Sequence, residues 1–202
     1  EAIAGSEGEA GASENADALP VARQQETATM TPVERLATKA DGKQRELVEN
    51  QRGITYYKLF GPYLAGAKKI VVEDAYVRKP YQLRNLAEFL EMLLRCKNSD
   101  EDVAVHLVTG HNEPGFVEAQ LNGLNELAST FSQLGVNLTY EFRDTLHDRS
   151  ITADTGWEIL PGRGLDIFQK FVDGDWLNPL LRHQQLRRVK ECKVTYQRVR
   201  EK

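Results

Sequence analysis

In the stretch HDRSITADTGW, residues 147–157, His147 is followed two places on by Arg149 and five places after that by Asp154. A neutral imidazole can attack phosphorus, and a neighbouring cation can hold the non-bridging oxygens whose charge grows in the transition state. On a strand, residues two apart share a face, so His147 and Arg149 project together. Asp154 stands seven positions from His147. That odd separation lies past a turn, so it orients the imidazole only if the hairpin curls back. The plainer readings stay open beside the chemical ones. His147 can be a strand-end residue satisfied by Asp148 or backbone, a phosphate ligand or a nucleophile, and Asp154 can simply form the turn.

A second candidate follows closely. In PGRGLDIF, Gly162 and Gly164 bracket Arg163, and the backbone N–H groups of a glycine loop entering a helix can cradle an anion. A third sits upstream in EDAYVRKPYQLR. Ligands of open α/β sheets gather at strand carboxyl ends, which makes Asp74, Tyr76 and Arg78 a pocket rim. Alternatively, Asp74 and Arg78 pair with each other or cap the next helix. His111, in TGHNEP, falls at the same kind of edge. Trp157 reads as core. No His/Cys/Asp/Glu cluster has the spacing of a zinc site, and no Walker or dinucleotide loop is present, so neither metal nor cofactor is expected.

The elements that must position these residues are legible from periodicity. KKIVVEDAYV (68–77), DVAVHLVTG (102–110) and VNLTYEFR (136–143) read as strands. YQLRNLAEFLEMLLRCK (81–97), with Leu83, Leu86, Leu90 and Leu93 at helical spacing, is an amphipathic helix after Pro80. Residues 113–135 form another, with Gly135 as its stop. The segment 53–67 looks helical, with Pro62 as a potential break. HDRSITADTGWEIL (147–160) reads as two strands about a turn at Asp154-Thr155-Gly156, PGRGLDIF as a glycine-bracketed loop running into a short helix or irregular segment, and ECKVTYQRV (191–199) as a last strand. The order predicts an α/β fold, a mixed sheet with helices packed on it.

A chain of 202 residues, 41% apolar and 28% charged, has the composition of one soluble domain with a tail. Its apolar runs fall far short of the roughly 18 residues that span a bilayer. Residues 1–45 are acidic and rich in Ala, Glu, Gly and Ser, and read as a flexible linker, with a short helix at TPVERLATKA capped by Thr31 and opened by Pro32. Residues 46–202 are the expected domain. The net charge of −4 comes from residues 1–40, with seven acids and three bases, and the rest balances at 23 of each. Residues 182–202 hold eight Lys/Arg against Glu191 and Glu201, an end that suits a polyanion or a solvated face. Cys96 and Cys192 form neither a disulfide framework nor a metal motif, and point to a reducing cytoplasm.

HDRSITAD resembles the H-x-K-x4-D signature of the phospholipase D superfamily, with Arg149 in the lysine's place and Gly162 one residue beyond the usual glycine. The longer strings HDRSITADTGWEILPGRGLDIF and VEDAYVRKPYQLRNLAEFLEML resemble one branch more closely. That branch is the phospholipase D-like C-terminal domain of the eukaryotic MIT-domain protein family acting in the abscission step of cytokinesis. With LFGPYLAGAKKIVVEDAYVR, the chain also resembles the C-terminal region of bacterial Lon-protease-like AAA+ proteins, including those tied to BREX phage defence. The likeness covers roughly residues 50–200. It implies a phospholipase D-like mixed sheet flanked by helices and a position after AAA+ or Lon-like domains. Active members join two such motifs, and this chain has one, so catalysis would need a homodimer pairing two copies of His147.

The resulting expectation is a non-catalytic module that binds a phosphate-bearing ligand or a protein partner through His147, Arg149 and Arg163. DNA is favoured over lipid, because no basic amphipathic helix announces a membrane. A homodimeric, metal-independent phosphodiesterase and a purely structural assembly domain are the rivals.

Overall fold

The computed structural model describes residues 30–170 and 177–199. Most of the expected acidic leader therefore lies outside the described residues. In chain order the elements are α1 (Pro32–Ala37), β1 (Arg45–Leu47), α2 (Tyr56–Leu59), α3 (Gly61–Leu64), β2 (Lys69–Asp74), α4 (Pro80–Leu94) and β3 (Val103–Thr109). Then come α5 (Val117–Ser132), β4 (Val136–Phe142), β5 (Arg149–Ala153), β6 (Trp157–Pro161), α6 (Pro179–Arg182), a 3-10 turn at Gln184–Leu186 and β7 (Cys192–Arg198).

The strands make one seven-stranded sheet in the order β1-β7-β6-β5-β2-β3-β4. β2, β3 and β4 pair in parallel, joined by the crossovers α4 and α5, while β5, β6, β7 and β1 add antiparallel strands on the other side of β2. This is the α/β class with a mixed sheet that the element order predicts.

Alternation decides what each face meets. Ile70, Val72, Val105, Leu107, Val136 and Leu138 are buried, and α4 and α5 supply Leu86, Phe89, Leu90, Leu93, Leu124 and Phe131 to the same core. The intervening positions Lys69, Val71, Ala104, Asn137, Thr139 and Glu141 are exposed. The other face of the parallel half is open over most of its length, and is covered at its carboxyl end, where Val108 packs with Ala75 and Leu146.

The boundaries follow local chemistry. Gly135, at φ +77°, ends the helical segment that α5 begins, as a positive-φ glycine does. Gly156, at φ +81°, turns the β5–β6 hairpin. Pro62 breaks the predicted 53–67 helix into α2 and α3, because a proline has no N–H to continue the ladder. At α1, Thr31 Oγ1 accepts from the Glu34 N–H at 3.1 Å while Glu34 accepts from the Thr31 N–H at 2.7 Å, the reciprocal cap with Pro32 in the first turn. The flexible stretch expected up to residue 45 is corrected here. Leu36 of α1 is buried in the core, and Arg45 and Glu46 pair with β7.

Phe89 is fully buried and Val71 is 39% exposed on the open face. Phe89→Ala is expected to cost about 3–5 kcal/mol and Val71→Ala under about 1 kcal/mol, read as shifts in urea midpoint at constant slope.

Candidate functional site

Where β2 ends and β5 begins, Asp74 and Arg149 stand opposite each other in the sheet register. Asp74 is 3% exposed, and a carboxylate buried to that degree must be hydrogen-bonded or neutralised. Its Oδ1 accepts from the Tyr76 N–H and its Oδ2 from the Leu165 N–H, both at 3.0 Å, and Arg149 Nε lies 3.7 Å from Oδ1. Burial pushes the carboxyl up from its usual value, while the two N–H groups and the guanidinium hold it down.

The glycine loop explains the arrangement. Pro161–Leu165 forms a turn closed by the Gly164 N–H to the Pro161 carbonyl at 2.8 Å. Gly164 adopts φ +60°, and a Cβ there would fall 1.9 Å from Asp74 Oδ2. The loop does cradle an anion, and that anion is the chain's own Asp74. This corrects the expectation that Gly162 and Gly164 present amides to a ligand. The Gly162 carbonyl accepts from Arg149 Nη1 at 3.0 Å, its N–H donates to the Lys193 carbonyl at 3.0 Å, and Leu165 returns its carbonyl to the buried Tyr56 hydroxyl. Among the described residues up to 170 the loop continues as an irregular segment, through an isolated bridge between Phe168 and Val189.

Two expected site residues are elsewhere. Asp154 sits past the far end of β5, where its carboxylate accepts from the Lys68 N–H at 3.0 Å. Five strand residues part it from His147, so it is the turn-side residue and not an orienting group. Arg163 turns out of the cluster and donates from Nε to the Glu191 carbonyl at 2.9 Å, lining a groove with Glu46, Glu49 and Lys193. His147 is exposed in a shallow depression with Arg149, Leu160 and Gly162, and no described side chain hydrogen-bonds its ring. Trp157 is half-buried, packed edge-on against Tyr63 at 5.1 Å.

What the structure does bring together lies along the carboxyl ends of the parallel strands. The Tyr76 ring, in a side chain 43% exposed, has Arg149 at 4.4 Å and Arg78 at 5.4 Å from its centroid. Arg78 anchors through Nε to the Ala75 carbonyl at 2.6 Å and makes no ion pair with a described carboxylate. The anticipated Asp74–Arg78 pair is thus replaced by Asp74–Arg149.

Buried Gln120 on α5 ties this edge down, donating to the Val77 and Gly110 carbonyls at 2.8 and 3.0 Å and accepting from the Asn112 N–H at 2.8 Å. Thr109 adds a bond from the Val77 N–H at 3.2 Å. Beyond Gly110 stands His111, held by Asp144 through Nδ1 at 2.9 Å. Asp144 was missed by sequence reasoning. The signal that finds it is register: Thr109 pairs with Phe142, so residues two beyond each are neighbours. The His111 N–H and ring hold the Asp144 carboxyl below its usual range.

Residues 53–198 match the family model described as the phospholipase D-like domain at the C-terminus of MIT. The chain belongs to this family. A mouse relative, MIT domain-containing protein 1, is 37% identical over 138 residues, which are 65% of this chain and 54% of the relative. The chain therefore aligns with about half the length of that relative. In this MIT C-terminal domain no helix among the described residues is long and apolar enough to cross a membrane, and no described cluster of His, Cys, Asp and Glu could hold a metal ion.

Replacing Gly164 with alanine should cost at least about 2 kcal/mol, the scale of positive-φ strain plus a disturbed buried carboxylate, measured by urea unfolding. Asp74 gives a pH test. Its folded pKa is raised, so between the ordinary carboxylate value of about 3.9 and that folded value the native state holds the extra proton. Stability is fully present below this window and falls as pH rises through it. Asp74→Asn should abolish this descending component, whatever its effect on the absolute midpoint.

Proposed function

We propose that this domain is a non-catalytic phospholipase D-like module that binds a phosphate-bearing ligand, nucleic acid before lipid, at the carboxyl edge of its parallel strands. One observation carries the reading: Arg78, half-buried at the strand ends, forms no ion pair with a described carboxylate, though its charge also reaches Asp144, and shares the Tyr76 ring with a second guanidinium. Guanidiniums presented in this way fork onto phosphate oxygens, and a half-exposed aromatic between them suits a nucleobase or sugar. His147 and the outer edge of Arg149 extend the same surface.

The wider setting we propose is the one that sequence resemblance implies, a cytoplasmic module behind AAA+ or Lon-like domains. The homodimeric phosphodiesterase ranks lower, because Asp154 is spent at the far end of the hairpin and His147 has no described orienting partner.

A second reading rests on a different surface. Leu177 and Leu180 are 69% and 45% exposed, and Leu180 shares a groove with Arg52, Lys170 and Arg188. Exposed leucines beside cations fit an anionic lipid surface.

Binding of single-stranded DNA, RNA and anionic vesicles, measured across a salt series, tests both readings. Arg78→Gln should lower affinity for the oligonucleotides and reduce the slope of log K against log salt by about one, while Arg163→Gln leaves that slope unchanged. Vesicle binding lost in Leu180→Asp, with no oligonucleotide binding by the wild type, would establish the second reading over the first. Absence of salt-dependent binding to all three would leave only the assembly role.

A further inference from the structure

The His111–Asp144 pair carries an inference that rests on the proposed phosphate site beside Arg78. Asp144 grips His111 twice, accepting from its backbone N–H at 2.8 Å and facing Nδ1 at 2.9 Å. The ring also lies flat on Phe142, centroids 4.2 Å apart with 19° between the planes. An ionised carboxylate only accepts, so Nδ1 carries the hydrogen, and Nε2 is the free nitrogen of the neutral ring. The side chain is 43% exposed, and no described group bonds Nε2. Arg78 packs against the preceding residue: a Cβ on Gly110 would lie 2.2 Å from Arg78 Nη2. The other nearby charges are engaged, Arg143 with Glu141 and Glu73 and Lys79 with Glu113.

We propose that His111, fixed by Asp144 beside Arg78, selects a phosphomonoester over a phosphodiester. The chemistry is a count of protons. A neutral imidazole already committed at Nδ1 presents a lone pair at Nε2, and a diester oxygen presents another, so the two repel unless the ring draws a proton from solvent. A monoester sheds its second proton near pH 6, so its monoanion still carries a P–OH at mildly acidic pH. A monoester bound as its monoanion brings a proton of its own to Nε2. That proton passes from the P–OH oxygen to Nε2, breaking an O–H bond and forming an N–H bond, with no change at phosphorus. The products are an imidazolium, flanked by Asp144, and a phosphate dianion shared with Arg78. A diester has no proton to give.

Monoester chemistry occurs at a nucleic-acid end and on a lipid headgroup, so the test carries both. Affinities are measured near pH 6.5 for a single-stranded oligonucleotide with a 5′-phosphate against its 5′-methylphosphate ester. Vesicles containing phosphatidate are compared with vesicles containing phosphatidylglycerol. The expected result is a preference for the monoester of about tenfold or more, the worth of one charge-assisted hydrogen bond, in at least one pair. That preference collapses to about twofold or less in His111→Gln, which keeps an N–H donor but cannot exchange the proton. Comparing two ligands on one variant cancels any loss of folded protein. Equal binding of monoester and diester in both pairs, or a preference that survives His111→Gln, overturns the inference and leaves the phosphate-binding proposal standing. Failure of the wild type to bind any of the four ligands overturns both.

Discussion

A carboxylate buried without compensation costs several kcal/mol, and much of the strand-end architecture answers that cost at Asp74. The turn after β6 aims the Leu165 N–H at it, the β2 exit adds the Tyr76 N–H, and Arg149 approaches from the paired strand. Gly164 is glycine because its backbone closes over an oxygen that leaves no room for a Cβ. Arg149 gains a second anchor in the Gly162 carbonyl, and the Tyr56 hydroxyl clamps Leu165 from the core. These contacts tie β2, β5 and the post-β6 turn into one unit.

That constraint redistributes the residues of the histidine motif. With its amide spent on Asp74, the glycine loop has little to offer a ligand. With its guanidinium split between carboxylate and carbonyl, Arg149 contributes mainly an edge. His147 is left exposed next to a structural cluster. The side chains left available lie along the sheet at Arg78 and His111, whose backbone surroundings Gln120 and Thr109 hold in place without using the tips of either side chain. The polar groups around the histidine motif thus serve mostly to hold the fold.

Periodicity made the parallel half legible. Leucines at helical spacing marked α4, β-branched alternation marked β2 to β4, and Gly135 and Gly156 stood where positive φ was needed. Sheet register supported only the His111–Asp144 part of the site, because β5 begins at Arg149 and His147 lies in the loop before it rather than on the expected strand. What could not be read was occupancy. A glycine loop able to hold an anion looks the same in sequence whether the anion is a ligand or Asp74, some ninety residues upstream. The direction of Arg163 depended on the position of β7, and Asp144 became visible only once β3 and β4 were known to be neighbours. Residues 31–45 read as linker because their anchors are scattered through a polar stretch, with Leu36 buried, Val33 and Ala40 packed on the core and Asp41 held by the Tyr63 hydroxyl.

Backbone amide resonances during titration with a 5′-phosphorylated oligonucleotide put the central claim to its most direct test. If Asp74 fills the loop, the Leu165 amide stays unmoved and protected from exchange, while Tyr76, Arg78, Gly110 and His111 shift together. Large shifts at Gly164 and Leu165, with Gly110 and His111 silent, would show that the loop receives the ligand and would contradict the account.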